Sequence, residues 1–203
     1  ISQQLGNKPT ENWCLAFLGL LAHFEGNQRQ ALELTTQAYQ QMKKTEHLSN
    51  QGIALLFKAW AEQALGLDEQ SEQTYHQILA HCRTPELAKI EVEAKAGLSG
   101  LFLSRGEVKA AHRLVVEIMA YLEKETLDGT RDRFRIYLTC YQVLNALPEN
   151  RAGNILLQAC DLLKKMAARI SDRDRRRSFL ENVPSHRDLL KECEAQSGEM
   201  AVL

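Results

Sequence analysis

The chain has 203 residues, 44% of them hydrophobic and 25% charged, with 25 basic against 26 acidic side chains and a formal net charge of −1. That is the composition of a folded chain long enough to bury a substantial core, and its balanced charge supplies no general attraction to nucleic acid or to an anionic membrane surface. No run of about 18 apolar residues occurs, so no membrane span is expected.

Taken in chain order, the apolar pattern predicts helices over 10–25, 28–44, 50–65, 69–82, 85–104, 107–124, 131–146 and 149–169, then shorter ones over 172–182 and 185–196. Ala31, Leu34, Ala38 and Met42 mark one stripe, Ala111, Leu114, Ile118 and Leu122 a second, and Ile155, Ala159, Leu162 and Met166 a third. Each has the i, i+3/4, i+7 spacing of a helix packed on one side. Pro9, Pro85, Pro148 and Pro184 all fall where helices begin, a position at which proline removes no intrahelical hydrogen bond. Ser171 with Asp174, and Ser185 with Asp188, have capping-box spacing. No strand-length run alternates β-branched and polar residues, so the expected fold class is all-α.

Gly26, Gly66 and Gly106 recur at a step of forty residues, each between two helical stretches. A left-handed residue at a helix end is easiest for glycine, which has no Cβ to clash. Each glycine therefore reads as the turn of a helix hairpin, and Ala31, Ser71 and Ala111, five positions on, as small residues where the second helix crosses the first. The stretch from Asn145 to Ala159 reads as a fourth hairpin, with Pro148 at the turn and Ala152 as the small contact. Four hairpins at this period predict an α-solenoid over 10–170, preceded by a lead-in at 1–9. Two capping helices follow over 171–196, where Phe179, Leu180, Leu189 and Leu190 face the last hairpin, and then a disordered tail at 197–203.

These residues resemble the tetratricopeptide repeat family. Leu15, Leu18, Gly19, Ala22, Gly26, Ala31 and Ala38 match its motif in the first unit, and Leu98, Phe102, Gly106 and Ala111 in the third. The second unit departs, with Lys58 and Glu62 at apolar positions and Ser71 for the usual alanine, and the forty-residue step exceeds the family's period of about 34. Longer repeats of this kind, and the ending from Arg169 to Leu190, resemble the C-terminal helical arrays of large bacterial ATPase-containing regulators. The opening at Ile1, without a charged-then-apolar leader, likewise reads as a segment of a longer chain. An N-terminal repeat edge lacking a cap is expected to permit self-association.

The chemistry-bearing residues point away from catalysis. No phosphate loop, His-Glu-x-x-His or Cys-x-x-Cys is present. His76, His81 and Cys82 are five and six residues apart, a spacing that does not put them on one helix face, and they read as a helix end rather than a metal site. The five cysteines are odd in number and scattered, which predicts reduced thiols and a cytoplasmic protein. From Arg169 to Glu192, seven basic side chains interleave with five acidic ones, as on a solvated ion-paired helix with pairs such as Asp172 with Arg176.

In tetratricopeptide arrays the first helix of each hairpin lines a concave face that holds partner peptides. The resemblance implies that Trp13 and His23, then Trp60 and Gln63, then Glu93, then Tyr137, Tyr141 and Asn145 line such a groove. The expected function is a non-catalytic protein-binding module without a cofactor, binding a protein or peptide, or another domain of its own chain. The alternative is a sensor domain that binds a sugar or peptide effector.

Overall fold

The computed structural model describes residues 8–44, 47–82, 84–148 and 152–200, and among these every regular element is helical. The helices are α1 (Lys8–Phe24), α2 (Gln28–Met42), α3 (Leu48–Ala64), α4 (Asp68–His81), α5 (Ala88–Ser104), α6 (Val108–Leu122), α7 (Arg133–Asn145), α8 (Ala152–Ala168), α9 (Arg173–Glu181) and α10 (Pro184–Met200). The chain divides into two compact units, Ile1–Leu101 and Phe102–Leu203.

The three periodic glycines adopt the left-handed conformation, with φ of 83° at Gly26, 72° at Gly66 and 76° at Gly106. One hydrogen-bond pattern recurs around them. Asn27 N–H donates to Ala22 O at 2.8 Å, Leu67 N–H to Glu62 O at 2.9 Å, and Glu107 N–H to Phe102 O at 2.9 Å. The glycine N–H in each case reaches the carbonyl three residues back. This double closure satisfies carbonyls that the helix end would leave unpaired. Ala31, Ser71 and Ala111 are all fully buried.

In the first unit, α1 packs on α2 and α3, α2 also on α3, and α3 on α4. Helix α3 is buried on nearly every side: Gln51 through Phe57 and Ala59 through Glu62 are all inaccessible. By contrast α2 buries a single stripe of Ala31, Thr35, Ala38 and Met42. That stripe is turned from the expected one, since Thr35 replaces Leu34. Its hydroxyl donates to Ala31 O at 2.7 Å, which lets a polar residue occupy the crossing. Similarly Val115 rather than Leu114 is buried on α6, and Leu156 and Leu163 on α8. Gly97 of α5 lies against the phenol of Tyr75 of α4, and a Cβ there would sit 2.3 Å from it, so any side chain at 97 would have to displace that ring.

Lys58 and Glu62, which depart from the repeat pattern, form an i, i+4 ion pair. Thr74 of α4 closes the triangle, accepting from Lys58 Nζ at 3.1 Å and donating to Glu62 Oε2 at 2.7 Å. The polar residues sit at the α3/α4 contact because each is another's partner.

In the second unit, α7 packs on α8, and α10 packs on α7, α8 and α9. Phe134, Leu138, Leu156, Ala159, Leu163 and Leu189 form its core, with Phe179, Leu180 and Leu190 partly buried against them. Asp132 caps α7 by accepting from Arg135 N–H at 3.0 Å, and its Oδ1 also accepts from Ser185 Oγ at 2.8 Å. Ser185 is therefore a tertiary tie rather than the cap of α10, while Asp172, not Ser171, caps α9 through Arg175 N–H at 2.8 Å. The expected Asp172–Arg176 pair gives way to a bond from Arg176 Nε to Ile170 O at 2.9 Å.

Three further expectations need correction. Cys160 and Cys193 form a disulfide between α8 and α10, with Cα atoms 5.9 Å apart, so the cysteines are not all thiols and the cysteine argument for a cytoplasmic setting falls. Pro85 opens a three-residue 3₁₀ turn, and α5 starts only at Ala88. Helix α10 continues through Met200, into the segment expected to be a disordered tail. Residues 1–7, most of the expected lead-in, residues 149–151 at the fourth turn, and residues 201–203 lie outside the described residues. Among the described residues, no helix is long and apolar enough to cross a membrane.

Candidate binding groove

The residues assigned to a groove from the sequence fall into different surroundings. In the first unit, Trp13 stacks on Phe17 with ring centroids 5.4 Å apart, and Phe17 meets Phe57 edge-on at 5.6 Å. Trp60 continues this aromatic series, 5.6 Å from Phe57 and 6.1 Å from His23. His23 Nδ1 is 2.8 Å from Gln28 Oε1, and Gln63 accepts a hydrogen bond from Tyr75 Oη at 3.0 Å. Trp60 and Glu93 are each only 2% exposed, so neither side chain presents a contact surface. Burial of Trp60 follows from its place on α3, which is covered on nearly every side.

In the second unit, Asn145 is exposed and Tyr141 is half-buried, its Oη donating to Glu192 Oε2 at 3.1 Å. Tyr137 alone of the assigned residues lines a described cavity. This is a cleft of about 480 Å³ among the end of α6, the 123–132 connection, the start of α7 and the middle of α8. Met119, Leu122, Leu127, Ile155 and Leu162 supply its apolar lining, and Glu123, Glu125, Thr126, Asp128, Arg133 and Gln158 its polar groups. A second cleft of about 570 Å³, lined chiefly by Val115, Val116, Met119, Ala120, Leu144 and Leu147, shares Met119 and Glu123 with the first. The two clefts thus adjoin along the C-terminal half of α6.

Local sequence explains this geometry. Helix α6 ends at Leu122 and α7 starts only at Arg133, a longer connection than the glycine turns allow. Gly129, with φ of 85°, bends it, and Thr130 Oγ1 donates to Leu127 O at 2.7 Å. Leu127 is buried as the anchor of the loop. Arg133 Nη1 donates to Asp128 Oδ1 at 2.9 Å, tying the loop to the first turn of α7.

Burial pushes the Tyr137 phenol above the ordinary tyrosine range, with the Arg133 guanidinium opposing and Cys140 and Asp128 adding to the rise. Tyr137 is therefore a neutral hydrogen-bonding aromatic at neutral pH. The two buried cysteine thiols, Cys82 and Cys140, are pushed by burial to about 11 and about 12, with Glu91 adding at Cys82, so neither is a thiolate nucleophile near neutrality. Among the described residues no group of three or more His, Cys, Asp or Glu side chains could hold a metal ion. His81 Nδ1 is instead 2.6 Å from Gln77 O.

The carboxylates of the 123–132 connection escaped the sequence reading because an acidic interhelical loop looks like ordinary solvated surface. The signal available was the length of that loop and its single buried leucine. No family model matches the chain, and no curated protein matches it significantly.

Proposed function

We propose that this chain is a non-catalytic protein-binding module, an α-solenoid of tetratricopeptide-like hairpins that serves a larger regulatory protein. The repeated glycine turns, with the same hydrogen bonds at the forty-residue step, support the repeat reading. The observation that carries the binding reading is the pair of adjoining clefts beside Tyr137, open apolar surface backed by a half-buried aromatic. Such a surface suits a partner side chain because it offers rigid contact area with one polar edge.

The test is a panel of short synthetic peptides bound to the 203-residue chain, compared with Val116→Asp. Val116 is 52% exposed and lines the larger cleft, so the substitution adds a charge without emptying the core. Binding that drops by about tenfold or more, with unchanged helicity, supports the groove; equal binding by the variant removes it. The size of the smaller cleft also admits the effector-sensor reading, since small-ligand sites run from about 300 to 1,000 Å³. A metabolite that raises the melting temperature while displacing no peptide would favour that reading.

A further inference from the structure

Resting on that reading, we infer that the partner is a peptide segment carrying a lysine or arginine next to a bulky apolar side chain, held with the cation in the smaller cleft. The charge around that cleft is unbalanced. Arg133 is its one lining cation among the described residues and is engaged by Asp128 at 2.9 Å. Glu123 and Glu125 remain on the rim, both exposed and neither in an ion pair among the described residues. Lys124 stands between them in sequence but does not line the cleft.

Two carboxylates above an apolar floor suit a basic side chain better than a small inorganic cation. The methylene stem of lysine or arginine lies along Met119, Leu122 and Leu162, while its head reaches the rim. Tyr137 adds a half-buried aromatic to the same lining. Glu123 also borders the larger cleft, whose lining is overwhelmingly apolar, so the basic residue's neighbour enters Val115, Val116 and Leu144. Two adjoining clefts, one with an acidic rim and one almost wholly apolar, call for two side chains on one backbone, which a free polyamine does not supply.

Three short labelled peptides test this by fluorescence anisotropy: one mixing leucine with lysine, one leucine with serine, one leucine with glutamate. The leucine–lysine peptide should bind about tenfold tighter than leucine–serine, leucine–glutamate should not bind, and the preference should fade at high salt. Glu123→Gln with Glu125→Gln should remove that preference and leave leucine–serine binding unchanged. Glu33→Gln, an exposed carboxylate of the first unit, should change nothing. Equal binding of the lysine and serine peptides, or indifference to the double substitution, overturns the charge inference and leaves the groove standing. If no peptide binds, the groove reading itself falls. Spermidine displacing the lysine peptide while leaving the serine peptide bound would support the cation subsite; spermidine binding alone, with no peptide binding, would overturn the peptide partner.

Discussion

The two units of the molecule solve the same packing problem by different means. The first surrounds one central helix: α3 is covered on nearly all sides, and its Lys58 and Glu62 are matched to each other and to Thr74 of α4. Among its described residues the second has no helix so enclosed. It holds α10 against α7 and α8 by a disulfide, an aspartate–serine bond and a modest cluster of leucines. The first unit leaves Phe17, Leu18 and Leu21 of α1 exposed, while the second leaves adjoining clefts beside a long loop. The long 123–132 connection, with Leu127 as its buried anchor, is what shapes the smaller cleft of the second unit.

The disulfide is the sharpest way to separate them. It closes a stretch with a sequence separation of 33, and chain-entropy arguments put its contribution at about 4 kcal/mol. Reduction, or Cys160→Ser, should lower the stability of the second unit by roughly that amount. Hydrogen exchange read peptide by peptide should show α8 and α10 losing protection while α2 and α3 keep theirs. Equal loss in both units would mean that they unfold together.

The buried triangle of the first unit should come next in size. Glu62→Ala removes a carboxylate whose side chain is 4% exposed and deprives Lys58 and Thr74 of a partner at once. Because Lys58 keeps some contact with water, at 21% exposure, the cost should be about 3 kcal/mol rather than the larger value of a fully enclosed pair. Lys58→Met with Glu62→Leu should recover most of it, since an apolar pair needs no partner. Urea unfolding of both variants checks this. A double variant as unstable as the single one would show that the network holds the register of α3 on α4.

How much of this could be read from the sequence follows from range. The helices and the Gly26, Gly66 and Gly106 turns were legible because each depends on a few neighbouring residues. Stripe assignments slipped by one position at Thr35 and Val115, because counting apolar letters favours leucine over a threonine that bonds its own backbone. The Cys160–Cys193 bond and the Ser185–Asp132 tie were not legible, since both require knowing that α10 returns to the α7/α8 pair. Of the clefts, Tyr137 was legible as a lining residue through its place on a first helix. The rim carboxylates were not, since nothing local distinguishes Glu123 from any exposed glutamate.

The smallest expected effect tests the α10 contact from the other side. His186 lies edge-on to Phe134 at 4.7 Å and beside Phe179 at 4.4 Å, with Nδ1 2.7 Å from Phe179 O. Burial holds its imidazole below the usual value of 6.5, against the opposing pull of the Phe179 carbonyl and the Asp132 carboxylate. As pH falls through 6.5 the unfolded chain takes up this proton before the folded one does. The stability that His186 contributes is therefore complete above the unfolded value and is lost as pH falls from there toward the folded value. His186→Phe keeps the ring contacts and removes the proton, so it should flatten this part of the pH profile and leave the first unit's profile unchanged. If the acid-side decline persists in that variant, it comes from groups other than His186.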